Sequence, residues 1–199
     1  MTSGGIRDRF RAQMRVEVKD AALRQLAEGG ATALSLNAIA KELGVSGPAL
    51  YRYFAGRDAL LTELILDAYA DLTDALRAAP ADLAAQAAAY RNWALAQPHR
   101  YRLLFSAPLP GYDAHDERLV AAGQRAMDVL LASAAPGPQP PADLARQFTA
   151  WSGAADPAAA LHAVTWWSRL HGFVSLEIEG NFASMGLDAD LLFASTMFW

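Results

Sequence analysis

Apolar residues recur at helical spacing through almost the whole chain, and proline and glycine cut that pattern into segments. Near the start of the chain, Gly29-Gly30 reads as a helix stop. Leu36, Ile39, Ala40 and Leu43 then fall at i, i+3, i+4 and i+7, one face of a short helix. Leu60, Leu61, Leu64, Ile65, Ala68 and Leu72 form the stripe of a longer helix over 57–78, which Pro80 stops. A helix over 82–96 carries Leu83, Tyr90 and Trp93, and the break at Gln97-Pro98 starts another running to Phe105. The segment 107–111 reads as a turn. Leu119, Val120, Met127, Leu130 and Leu131 mark an amphipathic helix over 116–134, and the proline-rich stretch 136–141 reads as a stiff loop. Two helical segments follow from Pro141, the second a long one over 157–180, and a last one runs from 188 to the end. With 53% hydrophobic residues and heavy use of alanine, the chain favours helix over strand, and the expected fold class is all-α.

The stretch 35–54 is the most specific. Ser35 is placed to cap the first short helix, with its hydroxyl accepting from an orphan backbone N–H. Gly44 follows the last apolar position, where a left-handed residue ends a helix at low cost. Ser46 is placed as the next N-cap, and Pro48 stands in a first turn, where its missing N–H is no loss. Val45, Ala49, Leu50 and Phe54 then face a small core, leaving Gly47, Pro48, Tyr51, Arg52 and Tyr53 outward. Two short helices hinged at a glycine, the second presenting hydroxyl and cationic groups, make a helix-turn-helix suited to a DNA major groove. The competing reading is an ordinary helical hairpin whose tyrosines cover a core edge.

Charge separates these readings. The chain is net −4, which taken whole argues against a nucleic-acid partner. Its first 60 residues, however, hold nine Lys or Arg against six Asp or Glu, and the remainder eight against fifteen. The positive end bears the motif. Arg7, Arg9, Arg11 and Arg15 form a basic leader, expected either to lie along phosphates as an arm or to be a disordered terminus.

Composition excludes several other classes. There is no cysteine, hence no disulfide, thiolate metal site or cysteine nucleophile. No apolar segment follows the N-terminal arginines as in a signal peptide, and no apolar run suffices to span a bilayer. A soluble, cytoplasmic protein is expected. Of His99, His115, His162 and His171, no two lie three or four residues apart. Glu177 and Glu179 are two apart on a helix and point to different faces, so they form no catalytic pair. Gly29-Gly30 lacks a following Gly-Lys-Ser/Thr and is not a phosphate loop. The chain is therefore expected to be no enzyme, with no catalytic residues, metal or cofactor.

Residues 21–30, Ser35-Leu-Asn-Ala-Ile-Ala, Leu43-Gly-Val-Ser46, Leu50-Tyr-Arg-Tyr-Phe54 and Arg57-Asp-Ala-Leu-Leu61 together resemble the DNA-binding domain of TetR-family repressors. The resemblance covers about fifty residues, with these submotifs in order. It implies a DNA-binding domain over 11–60, opened by a supporting first helix over 11–28, then a connecting helix over 61–78 and a regulatory, ligand-binding and dimerisation domain over 79–199. Carried over by position, Ser35 and Ser46 would cap helices and touch phosphates. Gly47, Pro48, Ala49 and Arg52 would approach bases, Tyr51 and Tyr53 would contact backbone or thymine methyls, and Arg57 would bind phosphate. Leu34 departs from a common threonine, Tyr53 from histidine and Arg57 from lysine.

Trp166 through Gly180 is similar to a TetR subgroup with a Trp-His-Gly signature, here Trp167, His171 and Gly172. The family's C-terminal helices pair across a two-fold axis, which implies a homodimer on a near-palindromic double-stranded operator. Leu161, Val164, Gly172, Leu191, Leu192 and Phe193 are the expected interface. The resemblance also implies an unidentified small, largely apolar effector whose binding releases DNA. Tyr90, Trp93, Tyr101, Phe105, Met127, Trp151, Trp166, Trp167 and Phe173 could line its cavity, with His171 as a polar contact. The same aromatics also read as ordinary core. The alternative functional class is a helical small-molecule-binding protein or enzyme with no role in gene regulation.

Overall fold

The structure, a computed structural model, describes residues 3–105, 111–153 and 156–196. Eleven α-helices and one 3-10 turn account for the regular structure of these residues, with no strand among them. The helices are α1 (Ser3–Gly29), α2 (Leu36–Glu42), α3 (Gly47–Leu50), α4 (Arg57–Ala78), α5 (Leu83–Ala96), α6 (Pro98–Phe105), α7 (Glu117–Ser133), α8 (Ala142–Ser152), α9 (Pro157–Ile178), α10 (Asn181–Ser184) and α11 (Ala189–Thr196). The all-α expectation holds. No helix among the described residues is long and apolar enough to cross a membrane.

Local chemistry explains most boundaries. Asp82 and Asp156 cap α5 and α9, their carboxylates accepting from Ala85 N and Ala158 N. Gln97-Pro98 separates α5 from α6 as expected. Three expectations need correction. α1 begins at Ser3, not near Arg11, so Arg7 and Arg9 belong to a helix and not to an arm or a coil. Its apolar stripe starts only at Met14 and continues through Val18, Ala21, Ala22 and Leu26, while residues 5–13 are exposed on every side. α9 stops at Ile178, two residues early, and the one-turn helix α10 was not anticipated. Most of the turn expected over 107–111 lies outside the described residues, as does the stretch 197–199 of the helix expected from 188 onward.

The chain divides into two compact units, Met1–Ala68 with His99–Val120, and Tyr69–Pro98 with Ala121–Trp199. The first unit has its core at Val18, Ala21, Leu26, Leu36, Ile39, Leu50, Phe54, Leu60, Leu61 and Leu64. It also contains α6 and the segment up to Val120, which a linear division after residue 60 assigns to the body. One link is the hydroxyl pair Thr62 and Tyr112, 2.9 Å apart, with Thr62 buried. The second unit is built around Leu72, Leu76, Ala87, Tyr90, Ala94, Leu130, Leu170 and Val174.

Candidate functional site

In the first unit α2 and α3 form the expected helix-turn-helix. Ser35 is extended (φ −134°, ψ 109°), its Oγ accepts from Ala38 N at 3.3 Å, and its own N–H donates to Gln25 Oε1 at 2.8 Å. Leu36, Ile39 and Ala40 are buried, and Leu43 is half-buried. After α2, Gly44 takes φ +66°. This lets Gly44 N reach Lys41 O at 3.3 Å and Val45 N reach Ala40 O at 2.9 Å, satisfying the last carbonyls. Ser46 caps α3 by accepting from Ala49 N at 3.3 Å, and Pro48 stands in the first turn.

α3 is a single turn, continued by a hydrogen-bonded turn over 51–53. Leu50 and Phe54 are buried, whereas Val45 and Ala49 are only half-covered. Pro48, Tyr51 and Arg52 are exposed, Tyr51 by 51%, and Gly47 and Tyr53 are half-exposed. The Arg52 guanidinium makes no ion pair among the described residues. Asn37 of α2 was not singled out from the sequence. Its Oδ1 lies 3.6 Å from where a Cβ on Gly47 would stand, which adds an exposed amide beside the short helix.

The arginines before the motif fasten it in place. Arg15 Nη1 donates to Tyr53 O at 2.6 Å, Nη2 donates to Glu63 Oε2 at 3.0 Å, and the guanidinium lies over the Phe54 ring at 4.4 Å. Arg11 Nη2 lies 3.5 Å from Arg52 O. Lys19 pairs with Asp67 at 2.7 Å and Glu63 at 3.5 Å, and Arg24 with Glu42 at 2.6 Å. Arg15 is thus a clamp between α1, α4 and the end of the motif. Arg57 Nη2 donates to Ala31 O at 2.7 Å, while its buried Nε has no partner. Leu34, at the position where threonine is common, is buried.

Comparison with known proteins agrees with this geometry. Residues 19–64 match the model described as bacterial regulatory proteins, tetR family, and residues 83–197 the tetracyclin repressor-like C-terminal domain. The HTH-type transcriptional regulator Rv1816 of Mycobacterium tuberculosis (strain ATCC 25618 / H37Rv) is 34% identical over 95% of this chain and 91% of its own. The chain belongs to the TetR family.

Further relatives extend the match. The uncharacterized HTH-type transcriptional regulator Rv0681 of the same strain is 29% identical, covering 88% of this chain and 75% of its own. The crystal structure of SCO4313 superposes with a TM-score of 0.87 at 49% identity over 96% of both chains. A protein of unknown function from Rhodococcus sp. RHA1 gives a TM-score of 0.67 at 25% identity, over 92% of this chain and 91% of that one. The chain is accordingly a TetR-type transcriptional regulator, and the family's helix-turn-helix proteins bind DNA. It is not an enzyme.

The structure divides the residues expected to line an effector cavity of this TetR protein. In the second unit Tyr90 is 1% exposed, and its Oη lies 3.2 Å from His171 Nδ1. Trp167 stacks on His171 at 5.5 Å. Burial lowers the His171 pKa, favouring the neutral ring. Trp93, Trp166 and Phe173 are buried, and Met127 is half-buried. Tyr101 and Phe105 belong to the first unit and pack on each other at 5.0 Å. Trp151 is 41% exposed beside Phe148 on α8 and so lies at a surface.

The expected interface residues divide as well. Leu161, Val164, Gly172 and Leu192 are half-buried, and Leu191 is 69% exposed. Nothing lies within 4 Å of a Cβ built on Gly172, so no close contact inside the protomer requires glycine there. Phe193 is buried against Phe173 (5.3 Å) and beneath the Arg91 guanidinium (4.7 Å) within this chain. Arg91 escaped the sequence reading entirely. Its Nε and Nη2 donate to Glu177 at 2.8 and 2.5 Å, and Nη2 also to Asp190 at 2.6 Å, joining α5, α9 and α11. A pairing 86 residues apart leaves no local trace.

Proposed function

We propose that this TetR regulator is a cytoplasmic, ligand-responsive repressor acting as a homodimer on a near-palindromic operator. The observation that carries the reading is the capped helix-turn-helix, with Tyr51 and Arg52 exposed and its far end clamped by Arg15. Gly47, Pro48 and Ala49 bring backbone close to bases while Arg52 reads them. Ser35, Ser46, Tyr51, Tyr53 and Arg57 face phosphates or thymine methyls. Both capping hydroxyls accept from backbone N–H and keep their own proton for a phosphate oxygen. Arg57 supplies charge from a position fixed by Ala31.

Dimerisation is supported by the apolar side chains left exposed at the end of the chain, Leu176, Met185, Leu187 and Leu191, together with the open side of Gly172. One short helix contacts too little DNA to select a site, and two heads a helical turn apart multiply the contacts. The effector is a small, largely apolar molecule held in the C-terminal unit near Tyr90, Trp93, Trp167 and His171. It releases DNA by binding better to the conformation whose heads are wrongly spaced. Inverting that equilibrium takes about 5 kcal/mol of differential binding.

Footprinting of the purified protein on genomic fragments is expected to reveal one protected near-palindrome. Its protection should weaken steeply as salt rises, because phosphate contacts release counterions. A single-subunit complex, or equal protection of random sequence, would end this reading.

A further inference from the structure

Two buried polar atoms on one face of α5 have no hydrogen-bond partner, Gln86 Oε1 and Trp93 Nε1. Their residues are 2% and 7% exposed. With Tyr90 between them they fall at i, i+4 and i+7, so all three share one helix face, and the outer two lie about 10 Å apart along the axis. The Gln86 amide is oriented by its neighbour on α7. Ser133 Oγ donates to Val129 O at 3.2 Å and therefore accepts from Gln86 Nε2 at 2.8 Å, which turns the carbonyl oxygen away. The indole N–H of Trp93 is donor only.

Such atoms are a standing cost to the fold, one that an apolar side chain at either position would not carry. One atom needs a donor and the other an acceptor. The ring between them, Tyr90, meets His171, on which Trp167 stacks, and offers an apolar wall. Nearby charge is internally matched, Arg91 by Glu177 and Asp190. A charged molecule would lie there without a counterion, and a neutral one would not.

We propose that Gln86 and Trp93 are the polar anchors of a small-molecule site in the C-terminal unit. Its ligand is elongated, neutral and apolar in the middle, with a hydrogen-bond donor at the Gln86 end and an acceptor at the Trp93 end. That this ligand also releases DNA rests on the effector reading above; its binding does not.

The test uses the full-length protein without DNA. The probe is 1,8-octanediol, whose hydroxyls span roughly the same 10 Å as seven helical residues, against 1-octanol, which has one hydroxyl. Calorimetry should find the diol tighter on the order of tenfold. Trp93→Phe and Gln86→Met should each reduce diol affinity to the 1-octanol level, while circular dichroism shows both ligand-free variants folded with wild-type helix content. In the unmodified protein the Trp93 indole N–H resonance should move on adding diol, a readout that needs no variant. Equal affinity for the two probes, an unmoved indole resonance, or variants that bind diol like wild type would overturn the assignment. A diol that binds through both anchors yet leaves the operator occupied keeps the anchors and removes the effector role.

Discussion

Arg52 and Arg15 carry the same charge into the same corner of the first unit and are used differently. Arg52 is exposed and unpaired among the described residues, whereas Arg15 is spread over Tyr53 O, Glu63 and the Phe54 ring. A guanidinium with no protein partner keeps its paired donors for a guanine edge. Arg52→Ala is therefore expected to relax sequence preference at one operator position by about 1–3 kcal/mol. Random-site selection with the variant measures it, and an unaltered consensus would remove Arg52 from base reading. His171 makes a second prediction. Burial lowers its pKa and that of His99, the latter with help from Arg102. The unfolded chain takes up protons near the ordinary value of 6.5 while the folded chain resists. Stability from these groups is thus present above that value and lost as pH falls through it towards the lower folded pKa. The melting temperature should drop between pH 7 and 5.5, and a His99→Gln, His171→Gln protein should show a shallower slope. A slope unchanged by both substitutions would place the proton uptake elsewhere.

Among the elements, α3 is the most dependent on its surroundings. One turn cannot hold itself together, since the nucleus of a helix fixes several dihedrals for each bond formed. Ser46 closes its start and Arg15 grips the carbonyl beyond its end. Arg15→Met should lower stability by roughly 1 kcal/mol, discounted because Arg15 and Glu63 are each about a third exposed. It should weaken operator binding while leaving the preferred sequence intact, the opposite signature to Arg52→Ala. A changed preference with unchanged stability would make Arg15 a DNA contact after all. The same contrast explains how much was legible in the sequence. Caps at Ser35, Ser46, Asp82 and Asp156, and the left-handed Gly44, act within a few residues and could be read directly. The clamp joins residues 38 apart, Thr62 and Tyr112 are 50 apart, and Arg91 meets Asp190 across 99. A one-dimensional pattern of apolar spacing records none of these. Arg15 was therefore legible only as one of four leading arginines, and Arg91 was passed over.

For the whole molecule, the order of segments in space matters more than their order in the chain. The DNA-binding unit is made of two separated pieces, with His99–Val120 returning to join Met1–Ala68. Tyr101 and Leu119 of the returning piece are buried, and Tyr112 satisfies the hydroxyl of buried Thr62. A chimaera that grafts residues 1–60 onto a foreign body would leave that returning piece behind. Transplanting the operator specificity of this regulator thus requires both pieces to travel together, and swaps made at a single crossover point should yield poorly folded hybrids.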